Sequence, residues 1–180
     1  MSNRDQLLRA LDRPGQLGDR QVEALIQALE RELPADLGRQ RSLLTGVWEL
    51  CWSSSRLPYL LVAPWLENLQ ILQPEQGRGM NLLRSAGPLG ALAGISIEAS
   101  LAIVGPQRVT VAFQRGGWLG PSIGGGQRLR LFRTVHQPYP AWLDITVLDQ
   151  DLRVCRGNAG TLFALKRRED LSPDDFLAGG

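Results

Sequence analysis

The sequence predicts a mainly β protein, an antiparallel up-and-down β-barrel of eight or nine strands preceded by a pair of helices. Apolar residues recur at helical spacing up to about residue 45 and alternate at strand spacing after it. Short turns rich in Gly, Pro and Asn separate the later runs, which makes successive strands antiparallel neighbours. A sheet of this size would expose unpaired edges, and closure into a barrel removes them.

The composition is that of one globular domain and excludes several function classes. The 180 residues are 43% hydrophobic and 21% charged, and 20 basic against 18 acidic residues leave a net charge of +2 that does not favour nucleic acid. Cys51 and Cys155 are too few for a disulfide scaffold and too isolated for a paired-cysteine zinc site. No signal-peptide core or membrane span is evident, so we expect a cytoplasmic protein that meets a membrane only peripherally.

Residues 1–40 are predicted to form a helical pair packed on the barrel. Leucines at residues 7, 8 and 11 indicate a short first helix, and apolar residues at i, i+3, i+4 spacing indicate a second over residues 19–33. Asp19 is expected to cap the start of the second helix, and Pro34 marks its end. Both helices are too short to be stable alone, so their apolar sides should dock on the outside of the sheet.

Residues 41–168 carry the strand patterns of the barrel, and residues 169–180 are expected to form a flexible tail. The predicted strands cover residues 46–54, 68–72, 80–84, 93–104, 109–114, 128–134, 143–148, 152–156 and 161–166. Two of them have a marked apolar face, formed by Trp48, Leu50 and Trp52 and by Ile95, Ile97 and Leu101. We expect both faces to line the interior, because eight strands leave room for about one small ligand.

The segment of residues 142–165, WLDITVLDQDLRVCRGNAGTLFAL, combines two strand runs with an unusual set of charges. Its acidic groups are expected to lie within reach of its guanidiniums, and Gly157 and Asn158 are expected to form a turn. The charged residues are Asp144, Asp149, Asp151, Arg153 and Arg156. A metal or acid–base role for the carboxylates is less economical than ion pairing with these arginines.

Three parts of the chain together resemble the plastid lipid-associated protein family, also called fibrillins, in a cyanobacterial-type member. They are the helical pair, the LLTGVWELCWSSS strand at residues 43–55 and the closing segment, and the resemblance extends over about residues 4–167. It implies a lipocalin-like barrel that binds, stores or transports carotenoids, quinones or other isoprenoid lipids near thylakoid membranes and plastoglobules. It also implies that no cofactor is required beyond a bound lipid, carotenoid or quinone.

In lipocalin-like barrels a Gly-x-Trp near the start of the first strand places the indole across the barrel floor, and an arginine from a late strand packs on it. Trp48 is the corresponding residue here, and either Arg153 or Arg156 is expected to be its partner. The other possible role of these arginines is to face the cavity and hold the polar head of a ligand.

Two apolar segments without strand alternation, residues 56–66 and 116–124, are expected to form a movable mouth. They carry Tyr59, Leu61, Trp65, Trp118 and Leu119. Such loops either cover the barrel opening or contact a bilayer surface, since Trp favours the interface between water and lipid. The alternative is ordinary packing of the loops onto the helices.

The strand at residues 128–134 is expected to have at least one arginine that points inward or reaches past the rim of the barrel, and Arg128 and Phe132 are predicted ligand contacts. An interior arginine requires an acceptor. If a protein carboxylate such as Glu98 provides it, the contact is structural. If none does, a ligand carboxylate or phosphate is favoured.

Catalytic roles find little support in the sequence. His136 is the only histidine and has no nucleophile motif near it, and the glycines at 124–126 lack the Lys-Ser or Lys-Thr of a phosphate loop. Two other classes stay open beside lipid binding. One is a scaffold whose apolar loops bind a protein partner such as a prenyl-lipid enzyme, and the other is a bilin lyase or chaperone.

Overall fold

The structure, a computed structural model, describes residues 1–55, 60, 62–91, 94–124, 127–136 and 141–177. The helices are α1 (Asn3–Asp12), α2 (Asp19–Glu32), α3 (Leu37–Leu44) and α4 (Asp174–Leu177). The strands are β1 (Gly46–Ser53), β2 (Leu66–Gln73), β3 (Arg78–Ser85), β4 (Gly94–Ile103), β5 (Arg108–Gly124), β6 (Gln127–Thr134), β7 (Ala141–Leu148), β8 (Leu152–Gly157) and β9 (Leu162–Arg167).

The strands form one antiparallel sheet in the order β4-β3-β2-β1-β9-β8-β7-β5-β6, and a further pairing of β4 with β5 closes it. The result is a closed eight-stranded barrel with β6 as one extra strand beside β5. The predicted fold class, a mainly β barrel preceded by helices, is therefore confirmed.

Strand β5 is much longer than the sequence predicted. Its first part pairs with β7, and its second part, from Arg115 onward, pairs with β6. The prediction of a glycine-rich loop at residues 116–124 is therefore wrong, because these residues belong to β5. Gly117 allows β5 and β6 to approach closely, because a Cβ at this position would collide with the Leu131 carbonyl oxygen.

Helices α1 and α2 pack on the outside of the barrel, as predicted. Leu7, Ile26 and Leu29 are fully buried against the outward side chains of β7, β8 and β9, among them Val147, Leu152, Val154 and Ala164. The expected cap at Asp19 is wrong. Gly18 is the N-cap residue, and the Gln21 side chain accepts a hydrogen bond from its amide.

Two helices were missed by the sequence analysis. Helix α3 is capped by Asp36, whose carboxylate accepts a hydrogen bond from the Gly38 amide, and the helix covers one end of the barrel. Helix α4 buries Phe176 and Leu177 against the outer face of β1, β2 and β3. The prediction of a flexible tail is therefore wrong for residues 174–177. Residues 178–180 lie outside the described residues.

A search of the described residues finds no helix that is both long and apolar enough to cross a membrane.

Candidate ligand-binding site

The barrel encloses a cavity of about 750 Å³, which lies within the usual range of small-molecule sites. Alternation along the strands turns every second side chain inward, so neighbouring strands contribute rows of apolar groups. The apolar lining includes Leu72, Ile97, Leu101, Val109, Val111, Phe113, Leu143, Ile145 and Phe163. Leu60 also lines the cavity from the segment between β1 and β2.

Polar groups reach the cavity in a small number of places. Gln70 of β2 lies opposite Asn81 of β3 in the antiparallel register, and both line the cavity together with Asn68 and Arg153. The cavity is thus mainly apolar, with a few polar side chains in its lining that also include Ser96, Asn158 and Thr161. This arrangement fits an amphipathic molecule better than a wholly polar one.

Trp48 occupies the floor position expected for it and is fully buried. Its Nε1 donates to the Leu44 carbonyl at 3.0 Å, which connects the indole to α3. The guanidinium carbon of Arg153 lies 5.1 Å from the ring centroid, so Arg153 is the partner that the sequence left open. Arg167 was not predicted from the sequence, although its guanidinium carbon lies closer to the Trp48 ring centroid, at 4.3 Å. Gly46, two residues before Trp48, has a φ of +150°, which L side chains rarely adopt, and its bare Cα leaves room for the Arg167 guanidinium.

Arg153 is a buried cation at the cavity wall, with 0% exposure. Its Nη2 donates to the Gln70 side-chain oxygen, while Nε and Nη1 have no hydrogen-bond partner among the described residues. Burial lowers the pKa of Arg153, and the Arg167 charge acts in the same direction, yet an arginine stays protonated in a protein. Burial also raises the pKa of the neighbouring Cys155 thiol, so Cys155 does not supply a counter-charge.

Three predicted ligand contacts do line the cavity, namely Ile95, Ile97 and Leu101 of β4. Three others lie elsewhere. Trp48 and Leu50 belong to the packed core at the barrel floor, and Trp52 packs outside against α1 and α2. The cause is a β-bulge after Leu50, which turns Trp52 to the outer face, where its Nε1 donates to Asp19 at 3.1 Å.

The inward arginine expected on β6 is wrong, because that strand extends the sheet beyond the barrel. Arg128 contacts the outer helix α4, where its Nε donates to the Asp175 carbonyl, and Phe132 packs on the same outer cluster. Arg130 forms an ion pair with Glu98 at 2.8 Å. A protein carboxylate meets the arginine, so the structural alternative holds.

The charges of the closing segment pair with distant elements rather than with each other. Arg4 of α1 binds both Asp149 and Asp151, each at 2.6 Å. Two bidentate pairs complete the set, from Arg108 to Asp144 and from Arg156 to Glu30. The expected pairing within the segment is therefore wrong. The turn at Gly157 and Asn158 is present, and both residues line the cavity.

The predicted mouth residues separate into three groups. Trp65 and Trp118 are exposed, by 67% and 36%. Leu119 is buried against Phe176 and its neighbours, so its assignment to the mouth is wrong. Tyr59 and Leu61 lie outside the described residues.

An exposed row of apolar residues continues the inward face beyond the cavity. Ile95, Trp118 and Leu131 lie side by side on β4, β5 and β6, and we call this row the apolar strip. Ile95 is 69% exposed although it also lines the cavity, and Leu131 is 73% exposed. The strip therefore connects the cavity lining with the protein surface. Leu131 was missed because its partners are distant in sequence.

Within the described part of the chain, no group of three or more His, Cys, Asp or Glu side chains is placed to hold a metal ion.

Comparison with known proteins identifies the family of the chain. The model of the PAP_fibrillin family matches residues 8–166, and no curated protein and no solved structure matches. The family is generally structural and lipid-associated rather than catalytic, and the barrel with its apolar cavity fits such a role. The chain belongs to the PAP/fibrillin family.

Proposed function

We propose that the chain is a non-catalytic binding protein that stores or transports one small hydrophobic or amphipathic molecule in its barrel. The observation that carries the proposal is the closed barrel with a mainly apolar cavity of about 750 Å³. Transfer of apolar ligand surface from water to such a lining is favourable by about 25 cal/mol per Å². Binding therefore needs no covalent chemistry and no further cofactor.

The proposed ligands are carotenoids, quinones or other isoprenoid lipids, and the proposed location is the surface of a thylakoid membrane. Membership of the PAP/fibrillin family supports this choice. The lining supports it as well, because apolar residues dominate and Arg153 and Gln70 form a hydrogen-bonded polar pair at the wall. An elongated apolar body with one polar end is complementary to that distribution.

The apolar strip is the proposed route into the cavity and the proposed contact with the membrane. Trp118 favours the interface between water and lipid, and Arg133 follows Leu131 on the same face of β6, where it can meet an anionic headgroup. The second candidate function, a scaffold for a protein partner, rests on the same exposed residues, together with Trp65. A membrane contact is favoured because the strip continues the cavity lining.

The test uses a prenyl quinone with a short isoprenoid tail and two substitutions at adjacent positions of β4. Leu101 points into the cavity, while Ala102 is exposed on the outside. We expect Leu101→Trp to weaken binding by about tenfold or more, because the added ring occupies ligand volume. Ala102→Trp adds the same ring outside and should leave the dissociation constant unchanged.

Equilibrium dialysis measures the affinity and stoichiometry, and circular dichroism verifies that each variant is folded. The proposal is supported if each wild-type chain binds one quinone, if Leu101→Trp weakens this binding and if Ala102→Trp does not. No retention by the wild type, or equal affinities for the two variants, contradicts it.

A further inference from the structure

We propose that Arg153 and Gln70 form a subsite for the acidic head of the ligand, a carboxylate or a phosphate. This inference rests on the proposed function, since it concerns the same cavity, and it favours a lipid with an acidic head over a carotenoid or a quinone. An acidic head at Arg153 would leave the apolar body of the ligand against Ile97, Leu101 and the other apolar lining residues.

Arg153 has no counter-charge among the described residues. Neighbouring arginines are satisfied: Arg4 and Arg156 bind carboxylates, and Arg167 donates to the backbone carbonyls of Leu43, Thr45 and Gln150. Arg153 has no ion pair with any Asp or Glu in the described part of the chain, although it is fully buried. A buried cation without a partner is costly, so the site favours an anion.

The unused donors of Arg153 lie at the cavity wall. Nε and Nη1 are buried and without an acceptor among the described residues, and Arg153 is one of the residues that line the cavity. A ligand head reaches them when the side chains that cover the guanidinium move aside. The Gln70 side-chain oxygen holds Nη2 and thereby fixes the guanidinium in place. Packing on Trp48 does not by itself require Arg153, because Arg167 already lies over that ring.

Ligand classes differ in how well their heads satisfy the guanidinium of Arg153. A hydrocarbon would leave Nε and Nη1 without an acceptor. A neutral carbonyl would accept hydrogen bonds from them but would not neutralise the positive charge. A carboxylate or phosphate does both, and charge-assisted hydrogen bonds are the stronger kind. The chemistry common to fatty acids and to prenyl phosphates therefore matches this wall of the cavity.

The experiment compares acidic probes with their neutral counterparts on the full chain. The probes are a C18 fatty acid and its methyl ester, and a prenyl monophosphate and the corresponding prenyl alcohol. We expect at least one acid to bind about tenfold or more tightly than its counterpart. The pair that shows the preference distinguishes a carboxylate from a phosphate head.

Variants assign the preference to Arg153. Arg153→Gln should abolish it, whereas Arg156→Gln should preserve it, because Arg156 pairs with Glu30 on α2 outside the barrel. Gln70→Glu places a carboxylate beside the guanidinium. It should raise the melting temperature and remove the preference for the acid, while the neutral probes still bind.

Equal affinities of the wild type for acid and neutral probe overturn the subsite and leave the proposed function standing. A preference that persists in Arg153→Gln also overturns it. Failure of every probe, the prenyl quinone included, overturns the proposed function and the subsite together. Should Arg153→Gln not fold, the comparison of probes on the wild type decides alone.

Discussion

The ion pairs of Glu98 provide a prediction whose size follows from the structure. Glu98 is 6% exposed, and its two oxygens accept from Arg115 Nε at 2.5 Å and from Arg130 Nη1 at 2.8 Å. Glu98→Gln removes the buried negative charge that faces both guanidiniums. Breaking a buried pair costs about 3–5 kcal/mol, and we expect about 3 kcal/mol because Arg115 can turn toward water.

For a chain of this length, that loss lowers the melting temperature by about 6–12 °C. Urea unfolding followed by circular dichroism measures the free energy. The matched control is Asp144→Asn, which breaks the exposed bidentate pair with Arg108 and should cost at most about 1 kcal/mol. A cost below about 1 kcal/mol for Glu98→Gln would refute the structural role. So would a loss of prenyl quinone binding without a loss of stability.

Two further predictions concern acid stability and the membrane. Burial raises the pKa of Asp149, but the hydrogen bonds from Arg4 and from the Asp151 and Leu152 amides together hold this pKa below its usual value. The stabilisation is therefore complete above about pH 4 and is lost as pH falls through the lowered pKa. The difference in unfolding free energy between wild type and Arg4→Gln, about 1 kcal/mol at neutral pH, should therefore vanish in acid; a constant difference would contradict the pairing. Replacing Ile95 and Leu131 by Ser should weaken co-sedimentation with anionic vesicles, while Val104→Ser, 57% exposed near the other end of β4, should not. Equal sedimentation of the two variants would favour a protein partner at the strip.

Much of the fold could be predicted because its determinants are local. Alternation and turn residues indicated nine strands, and each predicted run overlaps an observed strand. The C-terminal helix could not be predicted in this way. Phe176 and Leu177 form one apolar pair without periodicity, and they become structural only through the outer face of β1, β2 and β3.

The interior face of β1 shows why alternation alone misplaces side chains. Trp48, Leu50 and Trp52 share a face in an ideal strand, but the bulge after Leu50 adds one residue and reverses the direction of everything beyond it. Val147 is affected in the same way, because β7 pairs irregularly with β8 between residues 145 and 147. Neither irregularity has a Gly or Pro signal in the sequence.

Ion-pair partners were the least predictable part of the site. The sequence placed Asp149 beside Arg153 and Arg156, yet Asp149 binds Arg4, which is 145 residues away along the chain. Only the docking of α1 on the barrel brings these two together. With Asp149 held there and Arg156 held by Glu30, Arg153 has no carboxylate partner among the residues that the structure describes, although it lines the cavity.

The most direct test of the central claim is a crystal structure of the chain grown with the prenyl quinone. We expect one quinone molecule per chain inside the barrel, with its apolar body against Ile97, Leu101 and Val111. An occupied site on the outer surface, or an interior filled by side chains with no density for the ligand, would contradict it.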